Sequence, residues 1–387
     1  MMAAVTVIGV GMIPFGKHPE KTLVEMGVEA AYLAIKDSGI KPAQVGAGFF
    51  ANAFAGRLFG DMTVGQNVFW GVGINRVPVV NLENACTSGS TAFYLAYNAV
   101  AAGQVEVALA VGAEKICVPE FGLINSGETE LDTQLGLVAP ASFAMRANRH
   151  MTEFGTTAEH LALVSVKNRR HGQLNPFAQF RQPLTVEQVL ASPMIVDPLT
   201  RLQCCPNADG AAAAVLCSPA FARTIGRAVN TETAILCTGS YESPQDMTHW
   251  ETDYRSCRLA YEKAGLGPED IDLVECHDAF TIAEILHYEA LGLCPPGEGG
   301  RMVADGETAL GGSTPVNVSG GLLSRGHPVA ATGLAQVFEV VTQLRHEAGS
   351  RQVQGAKVGL AHCMGGDKAA DAKSCTVLIF SRTGHVH

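Results

Sequence analysis

Four short stretches of the chain set nucleophilic or titratable side chains among glycines. Asn84-Ala-Cys86-Thr-Ser-Gly-Ser-Thr91 stands just ahead of an Ala-rich run over 90–102 that has helical spacing. A cysteine between a strand and a helix start feels the positive end of the helix dipole, which favours its thiolate. Gly89 permits a turn tight enough to expose the sulfur, although most free cysteines are simply small buried residues. In Ser319-Gly-Gly-Leu-Leu-Ser-Arg-Gly-His327-Pro328, a histidine at a helix start can serve as a general base near neutral pH or cap a loop. Glu275-Cys-His277-Asp-Ala-Phe280 closes a strand, so His277 is expected at the carboxyl edge of a sheet, where α/β folds place ligands. Leu360-Ala-His-Cys363-Met-Gly-Gly366 reads as a second strand end, and at Gly365 a backbone N–H can approach a reacting oxygen unobstructed.

These residues need a frame to bring them together. Val5–Ile8, Val107–Val111, Ala234–Cys237, Ile271–Glu275 and Val358–Ala361 read as strands. Leu23–Ser38, Ser90–Ala102, Tyr254–Ala264 and Ala330–His346 read as helices. The alternation predicts an α/β fold with mainly parallel, buried strands. The chain also repeats itself. Residues 34–54 align with 260–280 without a gap, matching Ala34, Gly39, Pro42, Ala53 and Phe54 to Ala260, Gly265, Pro268, Ala279 and Phe280. Val80-Asn81 and Val316-Asn317 each precede a Gly/Ser-rich turn and a helix, and the run from Gly103 resembles that from Gly355. The preserved order indicates a duplication. It divides the chain into a first half over 1–115, a second over 231–387, and an insertion with the end of the first half over 116–230. Facing halves would bring both cysteines and both histidines together.

Composition narrows the function classes. Of 387 residues 47% are apolar and 17% charged, which excludes disorder and coiled coil. A net charge of −10 argues against a general nucleic-acid surface and leaves local basic clusters for any phosphorylated small molecule. The eleven cysteines are scattered without a CxxC pair, so neither a disulfide framework nor a structural zinc site is expected. No apolar run approaches bilayer length and no leader is apparent, which gives the expectation of a cytoplasmic protein with no membrane partner. Gly9-Val-Gly11 lacks the third glycine and later acid of a dinucleotide fingerprint.

Taken together, Asn84-Ala-Cys86-Thr-Ser-Gly, His277-Asp-Ala-Phe, Gly326-His-Pro-Val-Ala-Ala-Thr-Gly and Cys363-Met-Gly-Gly resemble the thiolase superfamily. The resemblance is closest to the sterol-carrier-protein-type thiolases and their bacterial relatives, and it runs over essentially the whole chain. It implies a layered α-β-α-β-α fold and Claisen-type chemistry on acyl-coenzyme A, with coenzyme A as substrate and no cofactor or metal. It also implies that Cys86 is the acylated nucleophile, His327 its base, and Cys363 the acid/base acting on the acetyl-CoA enolate. His277 would join His327 in holding the thioester oxygen, and the N–H groups of Cys86 and Gly365 would form a second oxyanion hole.

Sterol-carrier-type relatives usually carry a cysteine in the third position of His-Asp-x-Phe and none before the last glycines. This chain has Ala279 in the first place and Cys363 in the second. The family's final glycine run gives way to the polar Asp367–Lys373. Lys167, Arg169, Arg170, Arg146 and Arg149 are candidates for the coenzyme A phosphates. The family implies a homodimer or dimer of dimers, with the strand at 107–111 near the interface, and some bacterial relatives work with a separate zinc-ribbon/OB-fold subunit. The expected activity is thiolysis of a 3-oxoacyl-CoA. The alternatives are a carbon–carbon lyase or acyltransferase on the same fold, and a non-catalytic subunit of a complex.

Overall fold

The computed structural model describes residues 4–119, 122, 130–223, 225, 227–240, 246–368 and 370–382. A nine-stranded sheet organises them. In spatial order its strands are Val79–Leu82, Ala47–Ala51, Val107–Glu114, Gly210–Cys217, Val5–Met12, Val229–Cys237, Asp371–Arg382, Val358–Lys368 and Leu273–Glu275. Beyond the last strand, Val316 bridges Val274 in parallel, where 79–82 adjoins 47–51 in the first half. The duplication is therefore built into the topology: each half has the same strand order, and the two series meet at the antiparallel pairing of Val5–Val7 with Val229–Thr231. Register agrees as well. Phe49 pairs with Ala110 in one half and Glu275 with Ala361 in the other, at the spacing of the sequence repeat.

The expectation of mainly parallel strands is overturned. Parallel pairing is confined to the two flanks, while 107–114 runs antiparallel to 210–217 and 358–368 antiparallel to 371–382. The last two strands are joined by residues 369–370 alone, and so short a connection cannot carry a chain back for a parallel crossover. The strand begun at Val358 also does not stop near Cys363. It continues to Lys368, which makes the polar segment the tip of a hairpin paired through Asp367–Ala372.

Strand alternation feeds separate cores. Along 210–217, Ala211, Ala213 and Val215 pack with helix Leu23–Ser38, whereas Ala212, Ala214 and Leu216 pack with helices Ser88–Ala101 and Thr332–Leu344. A third core joins the far face of the 358–368 hairpin to helices Glu251–Ala264 and Thr281–Ala290. Helices 88–101 and 332–344 thus form the middle layer, touching strands of both halves, with Phe93 edge-on to Phe380 at 5.6 Å. Gly9 and Gly11 serve packing: a Cβ on either would lie 2.3 or 2.4 Å from a carbonyl oxygen of helix 23–38. Strand 107–114 is wholly buried between neighbours, and the free edge of the first half is 79–82.

The start of each middle helix abuts the other half. A Cβ on Gly89 would lie 2.4 Å from Ala330 O, one on Gly112 2.2 Å from the same oxygen, and one on Gly333 2.6 Å from Ser90 N. Backbone meets backbone here, and a methyl group has nowhere to go. Gly89→Ala is expected to lower stability by about 1–3 kcal/mol through overpacking. Gly56→Ala, where the nearest atom is a side-chain carbon 3.8 Å away, should leave it nearly unchanged. Thermal denaturation of the two variants compares them, and equal midpoints would refute the packing argument.

Candidate active site

The contact between the middle helices decides what meets at their starts. Ala85 takes a left-handed φ of 48°, and Thr87 and Ser88 hydrogen-bond back to Asn84 and Ala85, so the chain turns sharply and delivers Cys86 ahead of helix 88–101. From the other half, Gly326-His327-Pro328 enters helix 332–344, and His327 N donates to Pro206 O at 3.2 Å. His327 Nε2 then lies 3.3 Å from Cys86 Sγ. Its Nδ1 lies 2.7 Å from Thr332 Oγ1, whose own proton goes to Pro328 O at 3.0 Å. Thr332 can therefore only accept from Nδ1–H, which leaves the Nε2 lone pair facing the thiol.

Cys363 Sγ lies 3.1 Å from Cys86 O and 3.4 Å from His277 Nδ1. The His277 and His327 rings meet edge to face at 5.2 Å. Gly365 passes so close that a Cβ there would sit 3.0 Å from both Cys86 N and Thr87 N. Cys86, His327, Cys363, His277 and Gly365, drawn from both halves, are thus brought into one cluster. Ile116 and Val329, with half-buried Phe54, Leu58 and Val118, supply an apolar wall against Cys86. A groove of about 790 Å³ on the outside of helix 251–264 shares none of these residues.

Electrostatics change one expectation. Enclosure of the Cys86 sulfur pushes its thiol up to about 12, helped by Glu114 and Glu83, against a smaller opposing contribution from the Gly366 backbone. Desolvation outweighs the helix dipole, and the resting residue is a thiol rather than the thiolate expected from its place at a helix start. Burial, with Arg325 nearby, pulls His327 down to about 3, and burial with the neighbouring imidazoles holds His277 well below its usual range. Burial and Cys86 hold the Cys363 thiol well above its own. The cluster is neutral at pH 7.

The basic candidates separate. Arg146 is fully buried; it donates to Met247 O and His249 O at 3.3 and 3.0 Å and to Ala370 O, and lies over the Trp250 ring. It anchors the hairpin tip beside Asp367, which itself accepts from Ser142. Lys167 is buried in an ion pair with Glu284 and donates to Val316 O at 2.9 Å. Neither can reach a coenzyme A phosphate, because each is buried with its charged end held by partners inside the protein. Arg149 pairs with Glu153 along its own helix. Arg169 lies over Phe180, and Arg170 is exposed.

The sequence reading passed over two supporting residues. Thr332 belongs to the Ala-Thr-Gly portion of the His327 motif, and its hydroxyl so close after a histidine was the available signal. Glu114 closes the apolar strand 107–114. It accepts from Asn52 Nδ2, Ala53 N, Phe54 N and Ala330 N at 3.0–3.3 Å and is pushed up to about 7 by burial. It ties the loop at 52–54 to the start of helix 332–344. A lone carboxylate at the end of a fully buried strand was its signal.

A layered fold of two like halves, with two cysteines and two histidines at their junction, defines a thiolase-type protein. Residues 5–220 match the family model described as thiolase, N-terminal domain, and 236–382 match that described as thiolase C-terminal domain-like. The chain belongs to the thiolase family. It is 41% identical over 392 residues to the acetyl-CoA acetyltransferase of Methanothermobacter thermautotrophicus, covering 98% of this chain and all of that one. It is 40% identical over 385 residues to human sterol carrier protein 2, covering 93% of this chain and 70% of that protein. The solved structure of the Ltp2–ChsH2(DUF35) aldolase superposes with a TM-score of 0.83 at 26% identity over 99% of both chains. Among the described residues no helix is long and apolar enough to cross a membrane.

A resting thiol has a chemical signature. Alkylation of Cys86 by iodoacetamide, followed on its peptide by mass spectrometry, should climb roughly tenfold per pH unit from pH 6 to 9 without levelling, since the thiolate is the reactive form. A plateau below pH 8 would indicate a preformed thiolate–imidazolium pair and refute the assignment.

Proposed function

We propose that the protein is a thiolase that cleaves a 3-oxoacyl-CoA with coenzyme A into acetyl-CoA and a shortened acyl-CoA. The observation that carries this reading is the convergence of two thiols with two imidazoles, the nucleophile facing an unprotonated nitrogen at 3.3 Å. In the first half-reaction Cys86 Sγ attacks the 3-keto carbon while its proton passes to His327 Nε2. The Cα–Cβ bond of the substrate then breaks, leaving an acyl-Cys86 and the enolate of acetyl-CoA, which takes a proton from Cys363. Coenzyme A next gives its thiol proton to the Cys363 thiolate as its sulfur attacks the acyl-cysteine, and the departing Cys86 sulfur recovers its proton from His327. Neutral starting groups suit this path, because each proton moves only as the bond it assists forms or breaks. His277 and His327 would hold the thioester oxygen; the N–H groups of Cys86 and Gly365 would hold the oxygen on the acylated carbon. The acyl chain would lie along Phe54, Leu58, Ile116, Val118 and Val329. Coenzyme A would meet Arg169 and Arg170, with Arg149 a further candidate, since none of the three is committed to a buried partner.

A carbon–carbon lyase is the second reading, favoured by the likeness to the aldolase structure. A retro-aldol cleavage needs no acyl-cysteine, so incubation with 3-oxoacyl-CoA substrates separates the two. Mass spectrometry should find Cys86 acylated, and Cys86→Ser should lose turnover by roughly 10³-fold or more while staying folded. Cys363→Ala should lose at least about 10²-fold. No adduct across several chain types would refute the thiolase reading, and full activity of Cys363→Ala would favour a synthase-like reaction.

We propose further that two copies pair through strand 79–82. Val80 on this free edge is 42% exposed, and the flanking Trp70 and Met62 are 74% and 82% exposed. An uncovered edge bordered by apolar side chains is a surface folded chains rarely leave bare. Light scattering should show a dimer that Val80→Lys converts to monomer; a wild-type monomer, or a dimer indifferent to the change, would refute it. A separate zinc-ribbon/OB-fold subunit remains part of the proposal, supported by the DUF35-containing aldolase complex.

A further inference from the structure

We infer that Cys86, His277 and His327 also form a capture site for a soft divalent cation of the zinc type, which binds reversibly where the substrate carbonyl would stand. One ligand atom from each residue lies within 4.8 Å of those of the other two, and Cys86 Sγ and His327 Nε2 are 3.3 Å apart. Tetrahedral zinc with bonds of about 2.0–2.3 Å sets neighbouring ligand atoms roughly 3.3–3.8 Å apart. The Cys86–His327 pair already has that spacing, and the His277 imidazole has to close by no more than about 1 Å. A thiolate and two imidazoles are the donors such a cation selects over magnesium or calcium. Three protein ligands leave a fourth position open to water or an added ligand.

The surroundings agree. Thr332 Oγ1 accepts from His327 Nδ1–H and so presents the other nitrogen as a lone pair, which is how an outer hydroxyl orients a metal-binding histidine. Glu83, and Glu114 in its ionised form, place negative charge near the sulfur, which disfavours a bare thiolate and favours a bound cation. Arg325, the cation acting on His327, is paired with Glu275 at 3.2 Å. Binding is a simple exchange: the metal–sulfur bond forms as the Cys86 thiol proton leaves to water, both imidazoles bind neutral, and nothing is oxidised or reduced. Capture stands on this geometry alone; that it blocks turnover rests on the proposed function.

A second cluster, Asp253, His362 and Cys375, also has metal-ligand spacing. It is fully buried, and Asp253 is already shared between His287 and His362 at 2.6 Å each, so it supplies an internal control.

The test is titration of the reduced full chain with cobalt(II), read by thiolate-to-cobalt charge-transfer absorption and by the visible bands of tetrahedral cobalt, followed by displacement with zinc. One equivalent should bind. The charge-transfer band should vanish in Cys86→Ser and after alkylation of Cys86 in the folded wild type, and affinity should fall about tenfold or more in His277→Asn and His327→Asn. Cys375→Ser should keep the band. A wild type without it, or a band that survives loss or alkylation of Cys86, overturns the inference, as does a band lost only in Cys375→Ser. Zinc should stop 3-oxoacyl-CoA thiolysis and a chelator should restore it. Metal uptake by a protein that thiolyses nothing would sink the functional reading and leave the site standing.

Discussion

Everything at the site depends on how closely two helix starts approach. Gly89 and Gly112 lie against the Ala330 carbonyl, and Gly333 lies against Ser90, at distances that admit only backbone. Protein interiors are packed tightly enough that such a contact cannot relax by a fraction of an ångström without displacing its neighbours. Cys86 and His327 stand in the loops that lead into these helices, so the same contact sets the separation of sulfur and nitrogen. Glu114 secures it from beneath by binding Ala330 N and the loop at 52–54 together.

Enclosure then determines the charge state. Charged forms of all four clustered side chains would be poorly solvated here, and burial favours their neutral forms. A neutral thiol beside a correctly oriented imidazole is less nucleophilic at rest than a thiolate. It is also less exposed to indiscriminate alkylation and oxidation, which act on the thiolate. Thr332 matters for this reason: with a neutral base, orientation of the lone pair replaces charge as the means of activation.

Much of this was legible in the sequence, and the part that was not has physical causes. The four glycine-flanked motifs held the residues that the fold brings together, because sharp turns beside nucleophilic side chains leave a local signature. The repeat of 34–54 in 260–280 exposed the doubling, and the topology carries it through to strand register. Strand Gly210–Cys217 was missed since Ala-Ala-Ala-Ala has helical propensity. It is a strand because it lies between two helical layers that leave room only for small side chains, and tertiary context overrides the local preference. The basic residues misled for the opposite reason. Arg146 and Lys167 look like surface charges on an amphipathic pattern, and only the fold shows buried partners waiting for them.

The doubling also explains why a chain with two like halves has one such cluster of thiols and imidazoles at their junction. Because Phe49–Ala110 corresponds to Glu275–Ala361 in register, Ala51 and Gly112 occupy the places held by His277 and Cys363 in the second half. Gly112 has to be bare: any side chain there would strike Ala330 O and push the His327 loop out of position. A mirror-image centre would need a cysteine on the very spot that the existing one needs empty. The pseudo-symmetry is thus broken by exclusion rather than by drift, and gaining chemistry on one side required giving it up on the other.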